Sequence, residues 1–362
     1  MLKRDTTFVI GAGASRDLGF PLGDTLRDKI ISLLRVEDPN TSINFSDPTL
    51  AKVIARRAES ERGSAWPERV EAYRRAAAII CAGLPFARSI DTFLDGLRDQ
   101  PDIEFLGKLA IATIILRTEQ ASALSFRPVS AANAREIAEA RLKELVSSWH
   151  VSLGQILYEG HTLETLGTVF DHASFIVFNY DRCIEEFLTI SLMRRFAIER
   201  SEAMALVARC RIIHPYGQVG SFLPNDAGHI AFGNFQDHQL AEVAASVRTF
   251  TEAMEESVGD KVKDMVARAD VLVFMGFGWL PQNMQLLQVG DRVTNAHQVF
   301  ATTMDMAFGE VRIVEQQVDK ILRRKDYSPE YDERPADPAE FIVEQGDCKA
   351  LMKNCWLRLT SD

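Results

Sequence analysis

The stretch from Thr6 to Pro21 reads TTFVIGAGASRDLGFP. Its first five residues are all β-branched or aromatic, which predicts a short strand. A loop with Gly11 and Gly13 follows, and after it apolar residues recur at helical spacing, at Leu26, Ile30, Leu33 and Leu34. A strand, a glycine loop and a helix in this order are typical of the first unit of a parallel α/β sheet.

Four later segments also have strand composition, and helical patterns separate them. They are Ser174 to Phe178, Arg211 to Ile213, Val271 to Met275, and Val299 to Thr302. Strands that alternate with helices predict parallel pairing through helical crossovers. We therefore expect an α/β fold: a Rossmann-like parallel sheet flanked by helices, with a large all-helical insertion.

The insertion is expected over about residues 26–165, where helical spacing dominates and no strong strand pattern occurs. One apolar stripe runs through Ala138, Leu142, Leu145 and Trp149, and Phe126 to Pro128 indicates a break between helices. The nucleotide-binding core would then comprise about residues 1–25 and 166–305. Residues 306–362 are expected to form a helical extension packed on the core, with a surface loop from Asp326 to Pro338.

Bulk properties exclude some classes of function. The net charge of −10 argues against direct nucleic-acid binding, and local basic clusters are typical of solvated helix faces. No apolar run approaches the roughly 18 residues of a membrane helix, and the start of the chain lacks a signal-peptide pattern. We expect a cytoplasmic protein with no membrane partner. The five cysteines form no C-x-x-C pair, so neither disulfides nor a bound metal are expected.

The glycine loop has two interpretations. Backbone N–H groups at a strand-to-helix turn can face a diphosphate where glycines permit close approach; a tight turn alone would also require glycine. The loop departs from the dehydrogenase pattern G-x-G-x-x-G, because Asp17 and Leu18 precede the next glycine, Gly19, and Arg16 stands in the usual third-glycine position. No acidic residue clearly ends a second strand about 20 residues on, so a dehydrogenase is disfavoured.

The pattern G-A-G-A-S-x3-G-x-P after an amino-terminal strand resembles the NAD-binding loop of the sirtuin-like superfamily. Later segments agree in order: Phe178-Asn179-Tyr180-Asp181 after a strand, His214 after the next, and Gly276-Phe277-Gly278 after VLVFM. The resemblance covers roughly residues 6–25 and 170–305. It implies that Asn179 and His214 are catalytic. It also implies that NAD+ contacts Gly11, Ala12, Gly13, Ala14, Ser15, Gly19, Pro21, Asp181, Gly276, Phe277 and Gly278.

Several of these residues have structural alternatives. Asp181 could cap the following helix and Asn179 could be a turn residue. His214 is followed by Pro215, where sirtuin-like proteins often have glycine, so its role as a base at neutral pH is an open expectation. The segment from Ser89 to Leu94 also resembles part of bacterial sirtuin-like proteins, or is an N-capped amphipathic helix.

Sirtuin deacylases carry a zinc module with paired C-x-x-C motifs, and this chain has none. Water then becomes the simplest nucleophile, so we expect an NAD+ glycohydrolase that takes NAD+ as substrate and needs no metal. The chain is similar to NAD-depleting effectors of bacterial anti-phage defence, which implies a homo-oligomer and a separately encoded sensor partner, an ATPase or Argonaute-like protein. Alternatives are a non-catalytic sensor of NAD+ or an ADP-ribose-type signal, and an NAD-dependent ADP-ribosyltransferase or deacylase.

Overall fold

Six strands form one parallel sheet in the computed structural model, which describes residues 1–36, 45–125, 133–255, 257–322 and 339–361. The spatial order is β3-β2-β1-β4-β5-β6, which is the Rossmann order. The predicted α/β class is confirmed. The strands are β1 Thr6–Ile10, β2 Ala173–Val177, β3 Arg211–Ile213, β4 Val271–Met275, β5 Gln298–Thr302 and β6 Glu340–Glu344.

The three central strands are buried along their whole length. Continuous burial is expected of parallel strands that are covered by helices on both faces. Phe8 of β1 stacks on Phe175 of β2 with ring centroids 5.2 Å apart, so neighbouring strands also pack side chain to side chain. The chain runs outward from β1 in both directions, and β1 therefore lies where the strand order reverses.

Helices fill the described residues between β1 and β2, apart from loops and an isolated bridge between Val36 and Phe45. A short 3-10 helix, Ala12–Leu18, comes directly after Gly11. The prediction that the apolar stripe begins at Ala138 was wrong, since Ala138 is exposed. The predicted break from Phe126 to Pro128 lies outside the described residues. The α-helices are α1 Gly23–Leu34, α2 Pro48–Arg62, α3 Trp66–Gly83, α4 Ile90–Asp95, α5 Pro101–Ala121, α6 Ala134–Ser147 and α7 Trp149–Tyr158.

After β2 the α-helices alternate with the remaining strands. No helix in the described part of the chain is both long and apolar enough to cross a membrane. These helices are α8 Cys183–Phe196, α9 Arg200–Val207, α10 Leu240–Ser246, α11 Phe250–Glu255, α12 Ser257–Arg268, α13 Pro281–Leu287, α14 Phe308–Ile321, α15 Cys348–Asn354 and α16 Trp356–Thr360.

The expectation of a wholly helical extension after residue 305 was wrong. Residues 340–344 form β6, which pairs in parallel with β5 from Gln298 to Thr302. Three consecutive apolar residues with high β propensity, Phe341, Ile342 and Val343, suit this strand, and without β6 the edge of β5 would be unpaired. The loop expected from Asp326 to Pro338 lies outside the described residues.

A fully buried ion pair joins the helical insertion to the core. Arg182, just before α8, donates to Glu119 of α5 through Nε (3.0 Å to Oε1) and Nη2 (2.5 Å to Oε2), and neither side chain is exposed. The Arg182 guanidinium also donates to the carbonyl oxygen of Ile230. Burial penalises each charge, and the partner offsets that penalty. The pair therefore links α5, α8 and the chain after β3.

We predict that Glu119→Ala lowers the free energy of unfolding by about 3–5 kcal/mol, because it leaves the Arg182 guanidinium buried without a counter-charge. Denaturant titration measures the change. The control is Glu139→Ala, which removes an exposed partner of Arg135 and should change stability by at most about 0.5 kcal/mol. Equal, small effects of the two substitutions would contradict this account of the buried pair.

Candidate functional site

The predicted site residues follow four adjacent strands at one edge of the sheet. Gly11 comes after β1, Asn179 and Asp181 after β2, His214 after β3 and Gly276 after β4. Because parallel strands end at the same edge, these residues lie side by side. The edge includes the point where the strand order reverses, which is where open α/β sheets bind ligands.

Three glycines pack backbone to backbone where the loops after β1 and β4 meet. An added Cβ at Gly11 would lie 2.5 Å from the carbonyl oxygen of Gly276, and one at Gly13 would lie 2.8 Å from the Gly276 Cα. Gly276 has a φ of +57°, and its Cβ would come within 2.1 Å of the Ala14 nitrogen. Contact between the two loops is therefore sufficient to require glycine at all three positions.

Several N–H groups of the glycine loop are already engaged. Gly11 donates to the Met275 carbonyl (3.0 Å), Gly13 to the Gly276 carbonyl (2.9 Å) and Ala14 to the Gly11 carbonyl (3.0 Å). A diphosphate at this loop would have to use other groups. Ala12 is exposed, so the loop has an open side.

The other loop residues have distinct surroundings. Gly19 ends the 3-10 helix with a φ of +84°, and buried Pro21 precedes α1. A Cβ at Gly278 would meet open space, whereas Phe277 is buried and packs against Phe178 with ring centroids 5.1 Å apart. Gly278 therefore leaves room for a ligand, and Phe277 is a packing residue in this structure.

Asn179 ties the end of β2 to the glycine loop. Its Nδ2 donates to the Gly11 carbonyl oxygen (3.1 Å) and to Ser15 Oγ (3.0 Å), and Ser15 Oγ donates to Asp181 Oδ1 (3.2 Å). Asp181 Oδ1 also accepts from the backbone N–H of Cys183 (3.1 Å), the first residue of α8, although the N-cap of that helix is Arg182 and not Asp181. Burial raises the pKa of the Asp181 carboxyl. Asn179, Ser15 and Asp181 thus form one buried polar cluster.

His214 lies between two hydrogen-bond acceptors. Its Nδ1 is 2.9 Å from the Asn179 carbonyl oxygen, and its Nε2 is 2.9 Å from Glu185 Oε1. A carbonyl can only accept, so Nδ1 carries a proton. An ionised Glu185 also requires a proton on Nε2, which makes the ring an imidazolium. His214 is therefore not a free base in this arrangement.

The surroundings of His214 favour its charged form. Burial alone lowers the pKa of the imidazole, but the Glu185 carboxylate and the hydrogen bonds to Glu185 and the Asn179 carbonyl outweigh burial. The net effect raises the pKa of His214 above its ordinary value of 6.5. Sequence reasoning missed Glu185, whose only signal was its place four residues after Asp181.

His214 and Glu185 line a cavity of about 640 Å³, a size in the range of small-molecule sites. Polar side chains from the segment between β3 and α12 also line it, among them Gln218, Ser221, Ser246, Arg248 and Glu252. Residues of the glycine loop do not. The polar cluster around Asn179 therefore lies between the glycine loop and the cavity.

Ser89 caps α4 by accepting from the N–H of Thr92 (3.1 Å), as the capped-helix alternative predicts. The first turn of α4 reaches the site, because Asp91 accepts a hydrogen bond from the Tyr180 hydroxyl. The helical insertion therefore contacts the segment that carries Asn179 and Asp181. Among the described residues, no group of three or more His, Cys, Asp or Glu side chains could hold a metal ion.

We predict that replacing the Glu185 carboxylate lowers the pKa of His214. In wild type this pKa should exceed 6.5, and in Glu185→Gln it should fall, because burial then dominates. NMR titration of the imidazole measures both values, with His214→Ala identifying the signal. Glu186→Gln is the matched control: Glu186 pairs with Arg200, so this substitution should not move the titration.

The shift has a consequence for stability. A folded-state pKa raised above the unfolded value stabilises the fold below pH 6.5, and this stabilisation is lost as the pH rises through the folded value. The free energy of unfolding of wild type should therefore exceed that of Glu185→Gln by more at pH 6.5 than in more alkaline buffer. An advantage that grows with pH would contradict the charged pair.

Comparison of the chain with protein-family models, with curated proteins and with solved structures gave no match.

Proposed function

We propose that this protein is an NAD+ glycohydrolase, which cleaves NAD+ to nicotinamide and ADP-ribose. One observation supports this most: hydrogen bonds connect Ser15 of the glycine loop through Asn179 to His214, at the wall of the 640 Å³ cavity. A dinucleotide needs an extended site with a polar reaction centre. The glycine loop and the cavity are two such parts. The loop lies at the sheet edge where Rossmann folds bind ligands, and the cavity extends from His214 along β3.

The chemistry suits a site with few groups. Nicotinamide leaves NAD+ as a neutral molecule and takes the electron pair of the C1′–N bond, so it needs no general acid. The transition state resembles an oxocarbenium ion, as in glycoside hydrolysis. In this proposal, Asn179 and Asp181 position the nicotinamide ribose, and His214 helps to place the attacking water through the groups that it holds.

The rest of the dinucleotide would lie along the carboxyl edge. Residues 11–15, with Gly19 and Pro21, would hold the diphosphate, and residues 276–278 would face the adenosine. Since Gly11, Gly13 and Ala14 use their N–H groups within the protein, the open sides at Ala12 and Gly278 are the places we assign to ligand contact.

We further propose that the enzyme acts in the cytoplasm as an NAD-depleting effector of anti-phage defence. Its activity would depend on homo-oligomerisation and on a separately encoded partner, an ATPase or Argonaute-like protein. The net charge of −10 favours nucleic-acid sensing by the partner rather than by this chain.

A second candidate is a domain that binds NAD+ without cleaving it. The hydrogen bonds at both ring nitrogens of His214 favour this reading, because they leave the imidazole no free lone pair to accept a proton. Product formation separates the two candidates.

We predict that purified wild-type protein releases nicotinamide and ADP-ribose in equal amounts, at a rate per molecule that rises with protein concentration. Asn179→Ala and His214→Ala should each lower the rate by about 100-fold or more, because each removes a group that orients or activates the reacting partners. Chromatography of the products measures the rates. His172→Ala is the matched control: His172 is half exposed beside Asp5, at the opposite edge of the sheet, and should leave the rate unchanged.

Calorimetric binding of NAD+ without any nicotinamide, at every protein concentration and with lysate of phage-infected cells added as activator, would replace the hydrolase proposal by the sensor. Absence of both binding and cleavage would contradict both candidates.

A further inference from the structure

The two oxygens of the Glu185 carboxylate have different surroundings. Oε1 is paired with His214 Nε2 at 2.9 Å, whereas Oε2 is buried and has no hydrogen-bond partner in the described part of the chain. A buried polar atom without a partner is costly, and the cost is larger for a charged group. The neighbouring Glu186 shows the ordinary arrangement, with both oxygens bonded to Arg200 at 3.0 and 2.6 Å.

A second unpaired acceptor belongs to the same cavity. Gln218 lines it together with Glu185 and His214, and Gln218 Oε1 is likewise buried without a partner among the described residues. Glu185 and Gln218 thus both line one polar cavity, and each carries a buried acceptor without a partner. Such a pair suits a ligand that donates hydrogen bonds, such as a water molecule or a ribose hydroxyl.

The hydrogen bonds of His214 assign different roles to the side chains of His214 and Glu185. The imidazole donates from Nδ1 to the fixed carbonyl of Asn179 and holds Glu185 through Nε2. Both ring nitrogens are engaged in this way, whereas Glu185 Oε2 has free lone pairs. The group left able to accept a proton is therefore the carboxylate rather than the imidazole.

We infer that Glu185 is the proton acceptor for the attacking water and that His214 is a positioning residue that holds it. The inference rests on the proposed hydrolysis of NAD+. The water oxygen forms a bond to C1′ as the C1′–N bond breaks, and nicotinamide takes the electron pair of that bond. One water proton passes to Glu185 Oε2 and is then released to solvent. Carboxylates act in this way in inverting glycosidases.

Steady-state kinetics of NAD+ hydrolysis test the inference with a pair of neighbouring substitutions. Glu185→Gln keeps the size of the side chain and an oxygen that can accept from His214, but the amide cannot take up a proton. We expect kcat to fall by about 100-fold or more with KM little changed. Glu186→Gln makes the same chemical change one residue further along α8 and should retain the wild-type kcat.

Chemical rescue provides a readout that a merely structural role would not give. Glu185→Ala opens space beside the cavity, and added formate supplies a small carboxylate that can accept the water proton. We expect formate to restore turnover in Glu185→Ala but not in Asn179→Ala. Thermal unfolding of each variant shows whether it is folded before its kinetics are compared.

Three outcomes are distinguishable. A normal kcat in Glu185→Gln, or a change in KM alone, would overturn the role of Glu185 and leave the proposed hydrolase intact. Loss of kcat in folded Glu185→Ala without rescue by formate would also count against a proton acceptor. Wild-type protein that binds NAD+ but releases no nicotinamide would overturn the proposed function and this inference together.

Discussion

The contact between the loops after β1 and β4 determines how the carboxyl edge of the sheet is arranged. Gly11, Gly13 and Gly276 meet without side chains between them, and any added Cβ would collide with backbone. Other elements form hydrogen bonds with these two loops. Asn179 donates to the Gly11 carbonyl from β2, Thr302 accepts from the Gly276 N–H at the end of β5, and Trp149 of α7 donates to the Ala14 carbonyl. The edge is thus assembled around a backbone contact.

The polar groups at this edge form a continuous series across the ends of three strands. It runs from Asp181 and Ser15 through Asn179 to His214 and ends at Glu185. All five side chains are largely buried. Low exposure strengthens each hydrogen bond and makes an unpaired atom costly. The unpaired Oε2 of Glu185 at the end of the series therefore costs stability, unlike the paired atoms before it.

The strands and the position of the candidate residues were predictable from local pattern. Thr6 to Ile10 and Val271 to Met275 are strands by composition, and the residue after a parallel strand necessarily lies at the common edge. β6 was missed because only three of its residues, Phe341 to Val343, have strand composition, and a glutamate stands at each end. The protonation of His214 could not be predicted either, since it depends on Glu185 and on a carbonyl 35 residues away. The sequence pattern identified Gly11 and Gly13 as loop glycines, but their contact with Gly276 is visible only in the folded chain.

The ion pair between Glu119 and Arg182 bears on how this domain could be shortened or recombined. Arg182 directly follows Asp181, and its guanidinium is neutralised by a helix that belongs to the insertion. A version of the fold without that insertion would leave the Arg182 guanidinium buried without a counter-charge, beside the polar series. The insertion is therefore not a detachable module: trimming it, in evolution or in the laboratory, requires a compensating change at position 182.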